Sequence, residues 1–540
     1  MKTLIMTLNS KFIHKSLALR LLYVSCKEYH DIDFKEYTIK DDLTRIADDV
    51  SLMDINVLCI SVYIWNVEQT KQLCHLIKER KPQIKIVIGG PEVTYDIDPF
   101  LDEFDIDYLM AGEGEVALHQ LLTALENHQK VNIQGISTKE KRDKRLILPV
   151  DLKYIESLES PYLLPRDMKD MKNRILYFET SRGCPYQCQY CLSSLEKGLR
   201  FFSIDYLKKQ LSLILKSDVK VIKLLDRSFN AKTEHALEIL DFIFKNAHPG
   251  VQFQFEINGD VLDQRIIDFI NNYAPEGLLR FEIGIQSTYE PTNRVVKRYQ
   301  DFDRLCDVIQ QLQKNHKIDF HLDLIAGLPL ENLERFAKSF DDVFTLYPKE
   351  LQLGFLKLLR GTSLRKEANQ YGYVYDEKAP YELLSSADLS VEDIQKIHLA
   401  EDMLQKYWNS GRMPITMNKV LRNVSSPFYF FLSLGEYYQE HHFKFFQFQL
   451  DELFSYLNQY LNHQYEDDLI EDYLRLAKVK PKKWWKSKIK NEKEIKHVLI
   501  EKYHLNQEEL FRYSIVEQLY DQIIVATYKN YQVSIKKYYL

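Results

Sequence analysis

Long apolar runs are missing from this sequence of 540 residues. A membrane span needs about twenty consecutive, mostly apolar residues, and the nearest approach, FYFFLSLG from Phe428, stops far short. The N-terminal MKTLIMTLNSKFIHK has only a short apolar run and no small-residue cleavage site, so it reads as a first strand rather than a secretion signal. Strong charge of one sign is also absent. Lys and Arg number 72 against 78 Asp and Glu, a net charge of −6 that supplies no overall attraction for nucleic acid. Cysteine is scarce and odd in number, seven in all, which excludes a disulfide framework and points to a reducing compartment. A cytoplasmic protein is expected, with neither membrane nor nucleic acid as partner.

What is present first is alternation. Over residues 1–135, short apolar strands (TLIMTL, VLCISVYI, KIVIGG, DYLMAGEGE) alternate with helical stretches (SLALRLLYVSCKEY, TKQLCHLIKER, VALHQLLTALE), the pattern of a doubly wound, Rossmann-like parallel sheet. Its strands end in polar or glycine-rich turns at Asn9, Ser61, Gly89-Gly90-Pro91 and Gly112-Glu113-Gly114-Glu115, on the edge where such sheets bind ligands. Residues 136–170, with KEKRDKR and ESPYLLPRDM, lack a helical period and read as a linker. From residue 171 to 371 strand and helix alternate again, and the strand-plus-helix units predict a partial parallel (β/α)6 barrel with polar strand ends at a common mouth. The remainder, 372–540, carries Tyr, Phe, Lys and Glu at helical spacing, including QEELFRYSIVEQLYDQIIVATY, and is expected to be a helical domain.

Three of the seven cysteines, Cys184, Cys188 and Cys191, crowd into ETSRGCPYQCQYC just after the first barrel strand. Structural zinc prefers four ligands in paired spacing, and no second Cys or His pair lies nearby. An iron–sulfur cubane on three thiolates leaves one iron open to an exogenous ligand, which implies chemistry rather than storage. The other cysteines read as buried packing residues: Cys26, Cys74 and Cys306 on helices and Cys59 in a strand.

CPYQCQYC in this position resembles the CxxxCxxC motif of the radical S-adenosylmethionine (SAM) enzymes. That resemblance implies a 4Fe–4S cluster held by Cys184, Cys188 and Cys191. Its open iron chelates SAM, and the reduced cluster passes an electron to the sulfonium to give a 5′-deoxyadenosyl radical. By the same resemblance Tyr190 packs near adenine and Asp226, in LLDRSFN, meets the SAM amino group, although the family's Gly-Gly-Glu pattern is absent. Asn258 in EINGD, with Glu282, Gln286 and Ser287 in EIGIQS, is suited to ribose hydroxyls or substrate; Ile325 and Gly327 in DLIAGLP lie beside adenine.

The N-terminal domain, with IGGPEVT and AGEGE, resembles the cobalamin-binding domain of the cobalamin-dependent branch of this superfamily. The resemblance implies that Gly89, Gly90, Gly112 and Gly114 lie close to the corrin while Asn9, Ser61, Tyr63, Asn66 and Glu115 edge its site. No Asp-x-His-x-x-Gly pattern supplies a histidine to cobalt, and His14 reads as a packing residue. The implied activity is methylation of an unactivated carbon on a small, natural-product-like molecule, with an external low-potential donor of flavodoxin or ferredoxin type. Alternatives are a radical cyclase or rearrangement enzyme, or a relative of the tRNA methylthiotransferases, whose N-terminal domain carries three further cluster cysteines. A non-catalytic iron–sulfur protein is the remaining reading. The basic stretch KVKPKKWWKSKIKNEKEIK around Trp484 and Trp485 reads as a lysine-rich connector anchored by its tryptophans, with nucleic-acid binding as its alternative.

Overall fold

The first strand, Lys2–Asn9 (β1), is buried along nearly its whole length because both faces of its sheet are covered. Leu4, Met6 and Leu8 join Leu58, Ile60, Leu73 and Ile77 in one core, and Ile5 joins Val87, Leu19, Val24 and Leu118 in the other. Such two-sided burial belongs to parallel sheets flanked by helices. The computed structural model describes residues 1–196 and 198–539. Those residues divide into two units, Met1–Asn332 with Leu353–Val391, and Leu333–Gln352 with Glu392–Leu540.

In the first unit β1 is followed by Asp31–Thr38 (β2), Val57–Ser61 (β3), Lys85–Gly89 (β4), Tyr108–Met110 (β5) and Ile136–Ser137 (β6), in the order β2-β1-β3-β4-β5-β6. The pairings are parallel except β5 with β6. A second six-stranded sheet comprises Ile175–Phe178 (β7), Val221–Leu224 (β8), Gln252–Ile257 (β9), Leu279–Gln286 (β10), Ile318–Ala326 (β11) and Glu350–Phe355 (β12). Its strands lie in sequence order and those from β7 to β11 pair in parallel, the open part-barrel expected of this segment. The pattern has period two. Phe253, Phe255, Ile257, Phe281 and Ile283 are buried, whereas Gln254, Glu256, Arg280 and Glu282 are half-buried on the opposite face. Helices on the apolar side start at capped residues: Asp263 accepts from Arg265 N and Asp301 from Arg304 N.

The second unit is mainly helical. Phe336, Phe340 and Phe344 of the helix Leu333–Phe344 meet Phe428 and Phe431 of Pro427–Glu440 edge to face. The expectation of helix throughout its end is corrected. After Tyr513 the chain forms an antiparallel sheet of Ser514–Leu519, Gln522–Lys529 and Gln532–Tyr538. The apolar residues of SIVEQLYDQIIVATY also fit a helical period, but its β-branched density and the two-residue break at Tyr520-Asp521 favour a hairpin. A short pair, Val374–Tyr375 with Leu383–Ser385, likewise lies beyond Gly372 in the first unit. In the basic stretch, the buried Glu517 accepts from Trp485 Nε1 (2.9 Å), Lys483 Nζ (3.0 Å) and Ser487 Oγ (2.9 Å), which fixes this connector against the sheet. No helix among the described residues is long and apolar enough to cross a membrane.

Candidate active site

The loop that carries the three cysteines is fastened before its first thiol is reached. Thr180 donates to Asp226 through its backbone N (3.0 Å) and its hydroxyl (2.6 Å), and Ser181 Oγ adds a bond of 2.5 Å. Asp226 is 1% exposed, and burial pushes its carboxyl up against the opposing pull of those donors. It sits at a strand end, and its oxygens accept from the neighbouring strand's exit and hold the loop. Ser181–Arg182 then pairs with Arg200–Phe201. Gly183, at φ +94°, lies against Gly198, whose carbonyl a Cβ would strike.

Cys188 is buried and Cys184 and Cys191 are half-buried. Burial pushes the Cys184 thiol up, the neighbouring Cys191 and Cys188 add to this, and Arg227 opposes it. Gln189 donates its N–H to Val296 O (2.9 Å) and accepts from Leu364 N (3.2 Å), so the middle of the loop is strung between two others. Arg298 brings Nη1 to 3.9 Å from Cys188 Sγ while its Nε donates to Gln300 (3.0 Å) and Nη2 to Gly284 O. Tyr190 lies in the same electrostatic neighbourhood as Arg298 and Cys188, its buried hydroxyl without a hydrogen-bond partner among the described residues.

A cavity of about 620 Å³ opens between this loop and the carboxyl edge of the first sheet. Ser61, Tyr63, Gly89, Gly90, Gly112, Gly114 and Glu115 line the sheet side, and Gly183, Leu192, Ser193, Leu195 and Arg227 the loop side. Ile5, Cys59, Val87 and Leu118 contribute apolar walls, and no histidine is among the lining residues. Gly90 and Gly112 have φ of +118° and +128°, with the backbones of Val62 and Ile147 against them, so both glycines are required by the fold itself. Arg182 crosses from loop to sheet. It donates to Glu179 (2.8 and 3.1 Å), Glu113 (3.2 Å) and Glu115 (2.8 Å), and Arg200 also pairs with Glu113. Arg182, Arg200, Arg227 and Arg298 escaped the sequence reading because no local spacing marks them.

The other expected residues separate into two groups. Asn9 and Asn66 do not line the cavity. Asn66 donates to Leu8 O (3.0 Å) and Ser61 O (3.2 Å) and accepts from Tyr63 N (2.8 Å), while Asn9 donates to His14 O and Glu36, both at 3.1 Å. Both tie strand ends together, whose backbone groups need partners where the sheet stops. The barrel residues face the second sheet's mouth. Glu282 pairs with Lys223 at 2.7 Å, Ser287 donates to Glu331 at 2.8 Å, and Gln286 adopts φ +71° with its Oε1 buried and unbonded. Asn258 is buried, Ile325 is half-buried, and Gly327 (φ +94°) leaves room for Leu383.

Cys26 and Cys59 lie in the core on one face of the first sheet and Cys74 in the core on the other. Burial pushes the thiols of Cys26 and Cys74 up to about 12. With the sheet between them they cannot share one cluster. His14 Nδ1 bonds the Tyr177 hydroxyl at 2.7 Å, away from the cavity lining.

Residues 3–122 match the B12 binding domain family, 178–343 the radical SAM superfamily, and 369–537 a family described as a protein of unknown function (DUF4080). The chain is 28% identical over 312 residues to the cobalamin-dependent radical SAM methyltransferase TokK of Streptomyces tokunonensis, covering 54% of this chain and 44% of that one. It thus spans less than half the length of this curated relative. Among solved structures, the cobalamin-dependent SAM radical enzyme OxsB with aqua-cobalamin bound aligns at TM-score 0.62 and 13% identity, over 88% of this chain and 80% of that one. The radical SAM methyltransferase TsrM from Kitasatospora setae, with cobalamin and a 4Fe–4S cluster bound, aligns at 0.59 and 16%, over 70% and 76%. At these identities the likeness to both structures is one of fold.

Proposed function

We propose, from its membership of the radical SAM proteins that carry a B12-binding domain, that this chain is an enzyme methylating an unactivated carbon of a small molecule. The radical SAM domain is one that takes a 4Fe–4S cluster and SAM, and the B12-binding domain takes cobalamin. The observation that carries the reading is the shared cavity: its two walls are the glycine-rich edge of the first sheet and the cysteine loop. Methyl transfer needs a methyl donor next to the place where a substrate radical is made.

The residues fit these groups. Cys184, Cys188 and Cys191 are the proposed cluster ligands, supported by three neighbouring thiols on one loop. Among the described residues no three ligating side chains are already drawn to metal-binding distance, so ligation would be completed by the cluster itself. The proposed cobalamin cradle is the set Ser61, Tyr63, Gly89, Gly90, Gly112, Gly114 and Glu115, supported by its place around the cavity. When bound, the cluster supplies the electron that cleaves SAM to methionine and a 5′-deoxyadenosyl radical, and cobalamin supplies the methyl group. Arg298 holds positive charge 3.9 Å from Cys188 Sγ, beside the proposed cluster ligands. Leu192, Leu195, Ile147 and Pro149 keep the cavity wall apolar and exclude water. Because Gly90 is needed by the backbone, the cleaner probe of the cradle is Ser61→Phe, which fills space at the cavity edge. Hydroxocobalamin titration should show a Kd raised about tenfold or more; an unaltered Kd would remove the cradle from this cavity.

Anaerobic turnover with SAM, a flavodoxin- or ferredoxin-type donor and a cell extract tests the reaction. A methylase forms 5′-deoxyadenosine and S-adenosylhomocysteine together, one SAM supplying the radical and another the methyl. A cyclase or rearrangement enzyme gives 5′-deoxyadenosine without matching S-adenosylhomocysteine, and that result would replace methylation. A methylthiotransferase-like reading needs a second cluster, for which Cys26, Cys59 and Cys74 are set on opposite faces of a sheet. The proposed setting is the cytoplasm, where thiols stay reduced.

A further inference from the structure

The polar face of the second sheet carries more negative than positive charge, and its cations are already engaged. Strands β8 to β11 present Lys223, Gln254, Glu256, Arg280, Glu282 and Asp323 opposite the phenylalanine face. Glu256 stands directly beside Glu282 in the parallel register, and Gly284 of the same strand stands beside Asp323. Lys223 Nζ reaches across β9 to Glu282 Oε2 at 2.7 Å. Arg280 Nη2 meets His321 Nδ1 at 2.8 Å, and His321 Nε2 lies 3.0 Å from Asp323 Oδ1.

Glu256 is left over. Among the described residues its carboxylate makes no hydrogen bond or close ion pair: Arg227 and Lys223 act on it from a distance while Glu282 and Asp323 repel its charge. Burial pushes its carboxyl up, as expected of a carboxylate taken from water without a counter-ion. A second, independent feature lies two residues further along, just past the end of the strand. Asn258 is 8% exposed, and only its backbone is bonded, its N–H to Asn230 Oδ1 (2.9 Å) and its C=O to Asn230 Nδ2 (2.8 Å). Its side-chain amide has no partner among the described residues. A largely enclosed carboxylate without a close counter-ion and, just past the strand's end, an amide without a protein partner leave hydrogen-bonding capacity that a ligand can fill. The face stays reachable, since the side chains of Lys223 and Asp323 are each 27% exposed.

We propose that this face binds the protonated amine of the substrate, with Glu256 as counter-ion and the Asn258 amide as its second polar contact. This rests on the reading that the barrel turns over a small molecule, and it adds the substrate class: a primary or secondary amine, cationic at neutral pH. A carboxylate that meets an ammonium group forms the stronger, charge-assisted hydrogen bond, and the neighbouring Glu282 and Asp323 add attraction for a cation and repel anionic competitors.

The test uses the full chain loaded with iron, sulfide and cobalamin, treated with a water-soluble carbodiimide and the amine probe dansylcadaverine. The coupled carboxylates are mapped by mass spectrometry. Glu256 should couple on the order of tenfold more than Glu282 or Asp323, because a docked amine is held at the activated carboxyl. Excess hexylamine should suppress that coupling, and hexanol of equal length should not. Equal coupling at the three carboxylates, or equal suppression by hexanol, overturns the proposal. Glu256→Asp, which keeps the charge, should retain the label and Glu256→Gln should lose it; if the latter does not fold, the competition on the native chain still decides. Labelling is read without turnover, so a loaded protein that never cleaves SAM would fail the methylation reading and leave this result standing.

Discussion

Replacing Cys184, Cys188 or Cys191 singly with Ala should lower reductive SAM cleavage by more than about a hundredfold, beyond the 10–100-fold that loss of an outer-shell partner usually costs a metal site. The three thiols share one loop, held by Asp226 at its root and by Gln189 in its middle, and no second set of cysteines is available to compensate. Reconstituted native protein should hold about four irons per chain, and each variant should hold markedly less. Arg298→Met offers a graded comparison. Its guanidinium lies 3.9 Å from Cys188 Sγ, so its loss should weaken the site without emptying it. Full iron retention by a triple Cys variant, or zinc in the native protein, would end the cluster assignment.

Arg182→Met should destabilise the first unit by about 3–5 kcal/mol, the usual cost of removing one partner from a buried ion network. Glu115 and Glu179 are both under a tenth exposed, and Arg182 is the cation they share. Arg182→Lys should recover only part of the loss, since an ammonium cannot fork to several carboxylates. The network also sets a pH dependence. Burial raises the Glu113 carboxyl, but the Arg200 hydrogen bond and the Arg182 charge outweigh it and hold it below its ordinary value. A depressed carboxylate contributes stability that is present above the ordinary value near pH 4.3 and lost as pH falls through the lower one. Thermal melts at pH 7 and pH 4 measure both effects. A variant that melts with the native protein at pH 7 would show that Arg182 does not join loop and sheet.

Much of this protein is local in its sequence. The alternation in TLIMTL and VLCISVYI, and of QFQFEI against its helices, encodes which strands are buried on two faces and which on one. The cysteine triplet is local as well, because ligands on one short loop are neighbours whatever the rest of the chain does. Where the local signal was ambiguous it misled. SIVEQLYDQIIVATY satisfies a helical spacing and a strand composition together, and packing of Val516, Ile523 and Val525 against Leu499 resolved it as sheet.

Pairing between distant segments was beyond any local pattern. Asp226 and Asn66 sit at strand ends as binding residues would, yet both are occupied by chain brought to them from 46 and 58 residues away. The cavity needs Gly89 and Gly112 to meet Leu192 and Leu195, and Arg182 needs Glu113 and Glu115. Glu256 differs from Glu282 only in what the adjoining strands present: Lys223 reaches Glu282 and leaves Glu256 without a close cation. Residue type and spacing determined by themselves which chemistry this chain can carry, because backbone period and loop length act over a few residues. Which carboxylate is satisfied and which stays open was decided by tertiary structure, because charge pairing depends on distances between strands that the chain reaches only by folding.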